Sequence, residues 1–140
     1  MARVLAVDLG AQRIGVALSD PSRILATPLT TVQRSGDQTA DRNAIVGLAR
    51  EHQVDTIVVG MPISMSGKAG AAATAAAAEI DALQSAVGAD VRVVGVDERL
   101  TTVSAQRMLV ERGVRAKDRR GQVDKNAAAI ILQTFLEGEG

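Results

Sequence analysis

The stretch that most constrains the fold is Val4-Leu5-Ala6-Val7-Asp8-Leu9-Gly10, where four apolar residues run unbroken into a carboxylate and a glycine. A continuous apolar run suits a strand covered on both faces, and therefore the middle of a sheet rather than its edge. A central strand ending in Asp presents a charge at the rim of the sheet, where open α/β folds commonly bind ligands. Asp and Gly are also ordinary turn formers, so Asp8 taken alone fits a simple turn at Gly10 equally well. Two later segments shift the balance. Asp97-Glu98 follows an apolar strand, and Asp124 stands at the start of the last helix. Acids at three element ends lead to the expectation that they meet at Asp8.

Arg13 to Ser19 reads as a second strand, joined to the first by a short Gly-containing connection and therefore antiparallel to it. Leu25 to Val32 is a third strand. Pro28 cannot donate to a ladder, which assigns that strand to an edge. After a polar loop from Gln33 to Asp37, residues Ala44, Ile45, Leu48 and Ala49 recur at helical spacing within Gln38 to His52. Thr56 to Gly60 is a short apolar run that, after a helix, reads as a parallel strand. Gly70 to Val87 is an alanine-rich helix whose apolar stripe is Ile80, Leu83 and Val87. Val91 to Val96 is the fifth strand. Thr101 or Thr102 can cap a helix running to Gly113. Val114 to Val123 has no apolar period and reads as a mobile loop. The last helix, capped by Asp124, carries Ala127, Ala128, Ile131, Leu132 and Phe135 on one face. The order βββαβαβαα describes an α/β fold: a five-stranded mixed sheet, three strands antiparallel and two parallel, flanked by helices in a single domain over residues 1–140.

Composition excludes several classes. A chain of 140 residues, 46% hydrophobic and 23% charged, is long enough to bury a core and too apolar to stay disordered. The absence of cysteine rules out disulfides and thiolate metal sites. The N-terminus has no basic region leading into a long apolar core, so a secretory signal is not expected. The most apolar window, Ala69 to Ala78, is too short and too weakly hydrophobic to span a membrane. A cytoplasmic protein with no membrane partner is the expectation.

The element order, with acids at the ends of the first and fifth strands and at the last helix, is the layout of the ribonuclease H-like fold. The residues carry a closer match. Val7-Asp8-Leu9-Gly10 followed by Arg13-Ile14-Gly15-Val16-Ala17 resembles the opening motif of the bacterial pre-16S rRNA nuclease family, also called Holliday-junction-resolvase-like. Three more blocks are similar to that family: Gly60-Met61-Pro62 with Met65 and Gly67, then Asp97-Glu98-Arg99-Leu100-Thr101-Thr102, then Val123-Asp124 with Ala127 to Gln133. Ala11 and Gln12 stand where members often have Thr and Lys, Ser66 replaces a frequent Asp, and Gln122 a frequent basic residue.

The resemblance implies a metal-dependent nuclease whose catalytic and metal-binding acids are Asp8, Glu98 and Asp124. It also implies a part in ribosome biogenesis, with a pre-rRNA, in the context of the small-subunit precursor, or a branched DNA as partner. Two Mg²⁺ or Mn²⁺ ions, about 3.5–4 Å apart in many nucleases, serve such hydrolysis. Mg²⁺ prefers hard oxygen ligands, so a few carboxylates and the substrate phosphate suffice. On this reading Asp8 bridges the ions while Glu98 and Asp124 complete one side each. Parity along the strand does not choose between Asp97 and Glu98; the family pattern chooses Glu98. Asp124 is also a preferred N-cap, and a carboxylate with two oxygens can cap and coordinate at once.

Net charge is +0 and says nothing about nucleic acid, but its distribution does. Between Arg99 and Lys125 eight basic residues, among them Arg115, Lys117, Arg119 and Arg120, stand against Glu111, Asp118 and Asp124. Such a patch beside acids suits phosphate contacts, with Arg13, Lys68 and Arg99 as further substrate-binding candidates. Phe135 is the one aromatic residue, so a base-stacking platform is missing and recognition must run through backbone and shape. Two other classes compete. Asp8-Leu9-Gly10 also resembles the phosphate loop of ATPases and sugar kinases, but those bind ATP between two such domains and this chain supplies one. A non-catalytic nucleic-acid-binding module of the same fold has no use for clustered acids near a phosphate. The alanine-rich helix offers a surface on which a second copy could pack as a homodimer.

Overall fold

The computed structural model describes residues 2–62, 70–97 and 127–139. Its elements are β1 (Arg3–Leu9), β2 (Arg13–Ser19), β3 (Ala26–Gln33), α1 (Gln38–Glu51), β4 (Val54–Met61), α2 (Ala71–Val87), β5 (Arg92–Asp97) and α3 (Ala127–Glu139). They agree with the expected elements to within a few residues. Lys68, Glu98, Arg99, the helix expected from Thr101 or Thr102 to Gly113, the segment Val114 to Val123 and Asp124 lie outside the described residues.

The five strands form one sheet in the order β3-β2-β1-β4-β5. β1 pairs antiparallel with β2 and parallel with β4; β2 with β3 is antiparallel and β4 with β5 parallel. β1 is thus the central strand, and Val4, Leu5, Ala6 and Val7 are each 0% exposed, as its unbroken apolar run requires. Alternation sorts its side chains between two layers. Leu5 and Val7 join Ile45, Ile57 and Leu83 in the core beneath α1 and α2. Val4 and Ala6 join Ala17, Val58, Ala128 and Leu132 beneath α3.

β3 lies at the edge, and Pro28 pairs with Ala17 where the register slips between Val16 and Ala17. A bulge at a proline on an edge strand leaves no ladder hydrogen bond wanting and blunts the edge against further pairing. Gln133 of α3 clamps the start of β3: its Oε1 accepts from the Ala26 N–H at 3.0 Å, and its Nε2 donates to the Ile24 carbonyl at 3.1 Å. Burial of α3 extends past the expected stripe to Ala129, Ile130 and Leu136.

The buried face of α1 differs from the expected one. Asp37 caps the helix by accepting from the Thr39 and Ala40 N–H groups. Ile45, Val46 and Ala49 are buried and Leu48 packs against them, whereas Ala44 is exposed. Asp41 is also buried, and its carboxylate accepts from the Ser35 hydroxyl at 2.7 Å and from the Ser35 N–H at 3.1 Å. Asp41 shares its helical face with Ile45, Leu48 and Ala49, at i+4, i+7 and i+8, while Val46 broadens the buried stripe on its flank. Between α1 and α2, Arg42 makes two parallel hydrogen bonds of 2.9 Å to the Glu79 carboxylate, which raises the Arg42 pKa. No helix among the described residues is long and apolar enough to cross a membrane.

Candidate active site

The apolar run of β1 ends at Asp8, and the strand's own alternation decides which way that residue faces. Val4 and Ala6 point to α3, so Asp8 does too. Its neighbour across the antiparallel ladder is Gly15. A methyl group built on Gly15 would lie 3.8 Å from the Asp8 Cβ and 3.5 Å from the Ala128 Cβ. Strand β2, the end of β1 and the first turn of α3 therefore close round one spot. Gly15 allows close packing, yet leaves room for one methyl and no more.

The Asp8 carboxylate is half-buried, and burial pushes its pKa above the ordinary value of 3.8. Among the described residues nothing donates a hydrogen bond to it and no cation pairs with it. A carboxylate kept partly out of water with no partner is costly when ionised, and a cation at that point would relieve the cost. Its hard oxygens suit Mg²⁺ or Mn²⁺. No group of three acid, His or Cys side chains gathers among the described residues.

Two clefts flank Asp8. On the α3 side a groove of about 670 Å³ is lined by Arg13, Gly15, Thr31, Ala127 and Ala128, among others. Residues of three elements make it, and Arg13 is the one cation among its described lining residues. The structure thus brings Arg13 to the face that Asp8 occupies. On the other side, a cleft of about 380 Å³ is lined by Asp8, Gly10, Arg34, Gln38, Pro62 and Glu79 with the alanines of α2. Asp8 forms part of the wall of this second cleft and borders the first through Gly15.

The turn after Asp8 is tight for a steric reason. The Gly10 N–H donates to the Asp8 carbonyl at 3.0 Å, and a Cβ on Gly10 would sit 2.4 Å from the Arg13 carbonyl oxygen. Only glycine lets the chain fold back there without displacing backbone. Arg34, the residue after β3, braces the same turn: its Nε donates to the Gly10 carbonyl at 3.0 Å, and its backbone N–H donates to the Gln12 carbonyl at 3.0 Å. Arg34, Gln38 and Thr31 did not emerge from the sequence. Arg34 falls in a polar loop with no periodic signal, and only the pairing of β2 with β3 carries it to Gly10.

The family model RuvX, described as Holliday junction resolvase, matches residues 2–138. The chain belongs to the RuvX family. Within it, a relative from Roseiflexus sp. (strain RS-1), named "Putative pre-16S rRNA nuclease", is 45% identical over 137 residues, covering 98% of this chain and 95% of the relative. A protein of the same name from Mycobacterium leprae (strain Br4923) is 48% identical over 135 residues, covering 96% of this chain and 72% of its own. The membership expected from four motif blocks is therefore established for the whole length they span. Among solved structures, that of T. thermophilus RuvC in complex with a Holliday junction substrate superposes with a TM-score of 0.63 at 12% identity, covering 99% of this RuvX-family chain and 96% of the other. At that identity the likeness is one of fold, and it confirms the RuvC-like, ribonuclease H-like architecture.

Proposed function

We propose that this chain is a metal-dependent nuclease that hydrolyses phosphodiester bonds in maturing the 5′ end of pre-16S rRNA. The observation that carries the proposal is Asp8, a half-buried carboxylate with no partner among the described residues, at the end of the central strand, opening between two clefts in a RuvX-family fold. Its relatives' names supply the substrate.

Asp8, Glu98 and Asp124 are the proposed ligands of the metal. Val94 and Val96 of β5 pack on the α3 face that Asp8 shares. A strand that keeps this alternation brings residue 98, not residue 97, to the same face, which favours Glu98 over Asp97. Asp124 precedes the first described residue of α3, Ala127, by three positions, and Ala128 abuts Gly15 beside Asp8. Bound Mg²⁺ or Mn²⁺ would supply activation of the attacking water and neutralisation of charge on the leaving oxygen. The chain's own part is to hold that cation on fixed carboxylates, to keep the site partly dry through the packing of α3, and to seat the phosphate backbone in the groove at Arg13. Lys68, Arg99, Arg115, Lys117, Arg119 and Arg120 are the proposed further backbone contacts.

The family description favours a second reading, cleavage of a four-way DNA junction. The lack of a stacking platform suits either substrate when it is recognised by shape. A side-by-side assay on pre-16S leader RNA, a four-way junction and plain duplex, with and without Mg²⁺ or Mn²⁺, separates them. Metal-dependent cleavage of the leader RNA that Asp8→Asn abolishes is the expected result. Cleavage of nothing under any metal would leave a nucleic-acid-binding module without catalysis.

A further inference from the structure

The cleft on the α1 and α2 side of Asp8 contains charged groups that the proposed metal site does not use. One of them, Glu79, is cancelled from outside the lining by Arg42, through hydrogen bonds of 2.9 Å from both Nε and Nη2. Among the described lining residues the uncancelled cation is Arg34. Its Nε is spent on the Gly10 carbonyl at 3.0 Å, whereas its Nη atoms have no partner among the described residues. We propose that Arg34 is a phosphate-binding residue, gripping one phosphodiester of the nucleic-acid backbone in the cleft beside Asp8. The inference rests on the nuclease reading for its ligand and deepens it.

Three features make Arg34 more than a surface cation. First, it is held at its backbone: the N–H donates to Gln12, and the next residue, Ser35, is bonded to buried Asp41 through both its N–H and its hydroxyl. Second, the Nε bond to Gly10 fixes the plane of the guanidinium, so little rotamer freedom remains to be lost on binding. Third, the turn it braces is the one that follows Asp8, so a phosphate on Arg34 would sit in the same cleft as that carboxylate. Gln38, the first residue of α1 after the Asp37 cap, lines the same cleft and offers an amide donor to the phosphate. Guanidinium groups with two free donors suit the paired oxygens of a phosphate.

The test compares the parent, Arg34→Gln and Arg34→Lys by fluorescence anisotropy on labelled pre-16S leader RNA and a labelled four-way junction. Titrations run in chelator over a salt series, with melting curves and metal-dependent cleavage measured on the same preparations. Arg34→Gln should weaken binding roughly three- to tenfold and lower the log–log salt slope by about 0.7–0.9, the loss of one phosphate contact. Arg34→Lys should keep a slope close to the parent's, because the charge survives although the bond to Gly10 does not. Equal affinity and slope in parent and Arg34→Gln would overturn the proposal. So would Arg34→Lys falling with Arg34→Gln in both slope and melting temperature, which would make Arg34 a brace for the turn and nothing else. Cleavage by the parent with unaltered binding in Arg34→Gln sinks the phosphate grip and leaves the nuclease reading standing. A slope that drops in Arg34→Gln while the parent cleaves nothing under any metal does the reverse.

Discussion

Asp8 and Gly15 stand directly opposite each other on neighbouring strands, and it is the missing side chain of Gly15 that keeps the carboxylate open toward α3. The distances set a size limit. A methyl at Gly15 makes ordinary contacts, 3.5 Å to Ala128 and 3.8 Å to Asp8, while anything longer must enter the groove or push α3 away. Gly15→Ala should therefore fold with stability unchanged or raised by about 0.4–1 kcal/mol through the stiffer unfolded chain, and keep its cleavage activity. Gly15→Leu should lose about 1–3 kcal/mol by overpacking and lose metal-dependent cleavage. Denaturant melts and single-turnover assays on the pair check this. Full activity in Gly15→Leu would mean that the substrate reaches Asp8 by another route.

Much of this arrangement was legible in the chain, for reasons that differ from residue to residue. The central strand announces itself because Val4 to Val7 are covered on both faces, so no polar residue interrupts them. Pro28 marks the edge because a missing N–H can be tolerated only there. Alternation says that Asp8 shares a face with Val4 and Ala6, but not which helix covers that face; this needed the packing of α3. On α1 apolar periodicity does not separate exposed Ala44 from buried Val46, and it passes over Asp41, whose burial rests on its bond to Ser35. Arg34 was missed for a related reason. Its partner Gly10 is 24 residues away and reaches it only through the β2–β3 pairing.

The basic segment gives a prediction independent of the acids. Neutralising Arg115, Lys117, Arg119 and Arg120 together should weaken binding of the leader RNA and flatten its salt dependence. Each lost phosphate contact should reduce the log–log slope by about 0.7–0.9. Melting temperature should hardly move, since exposed charges contribute little to stability. An unaltered slope would show that these residues touch no phosphate.

Gly10 supplies a geometric prediction. With a Cβ only 2.4 Å from the Arg13 carbonyl oxygen, Gly10→Ala must displace backbone, because neither partner is a flexible side-chain end. The turn would open, and the Arg34 bond to the Gly10 carbonyl would lengthen or break. A loss of about 1–3 kcal/mol is expected, together with reduced cleavage, because Asp8 lies two residues away on the same turn. Amide exchange offers a direct view: the Arg34 N–H, bonded to Gln12 in the parent, should lose protection in Gly10→Ala. Parental protection and parental stability together would refute the clash.

Asp8 itself links the site to acidity and to metal, and the sign of each effect follows from its raised pKa. Where the pH lies below its ordinary value of 3.8, Asp8 is protonated folded or unfolded and contributes nothing. As pH rises the unfolded chain gives up this proton first, so the folded state binds more protons and stability falls. Above the folded pKa the loss is complete and constant. Asp8→Asn keeps the shape without the charge, so its advantage over the metal-free parent should be absent in acid and grow through the weakly acidic range. By neutral pH it should level off at about 0.5–2 kcal/mol, the usual gain on relaxing a strained functional site. Divalent cation should invert the order. Mg²⁺ or Mn²⁺ should raise the melting temperature of the parent by binding its folded state, and Asp8→Asn should show little of that rise and no cleavage. Lowering the pH should weaken the metal effect in the parent at a pH higher than an ordinary carboxylate would give, since the proton and the cation compete for the same oxygens. Melting curves of both proteins across about pH 3 to about pH 7, with and without metal, provide all of these readings. If Asp8→Asn gained nothing in stability and kept the parent's response to metal, Asp8 would be a turn former and no more.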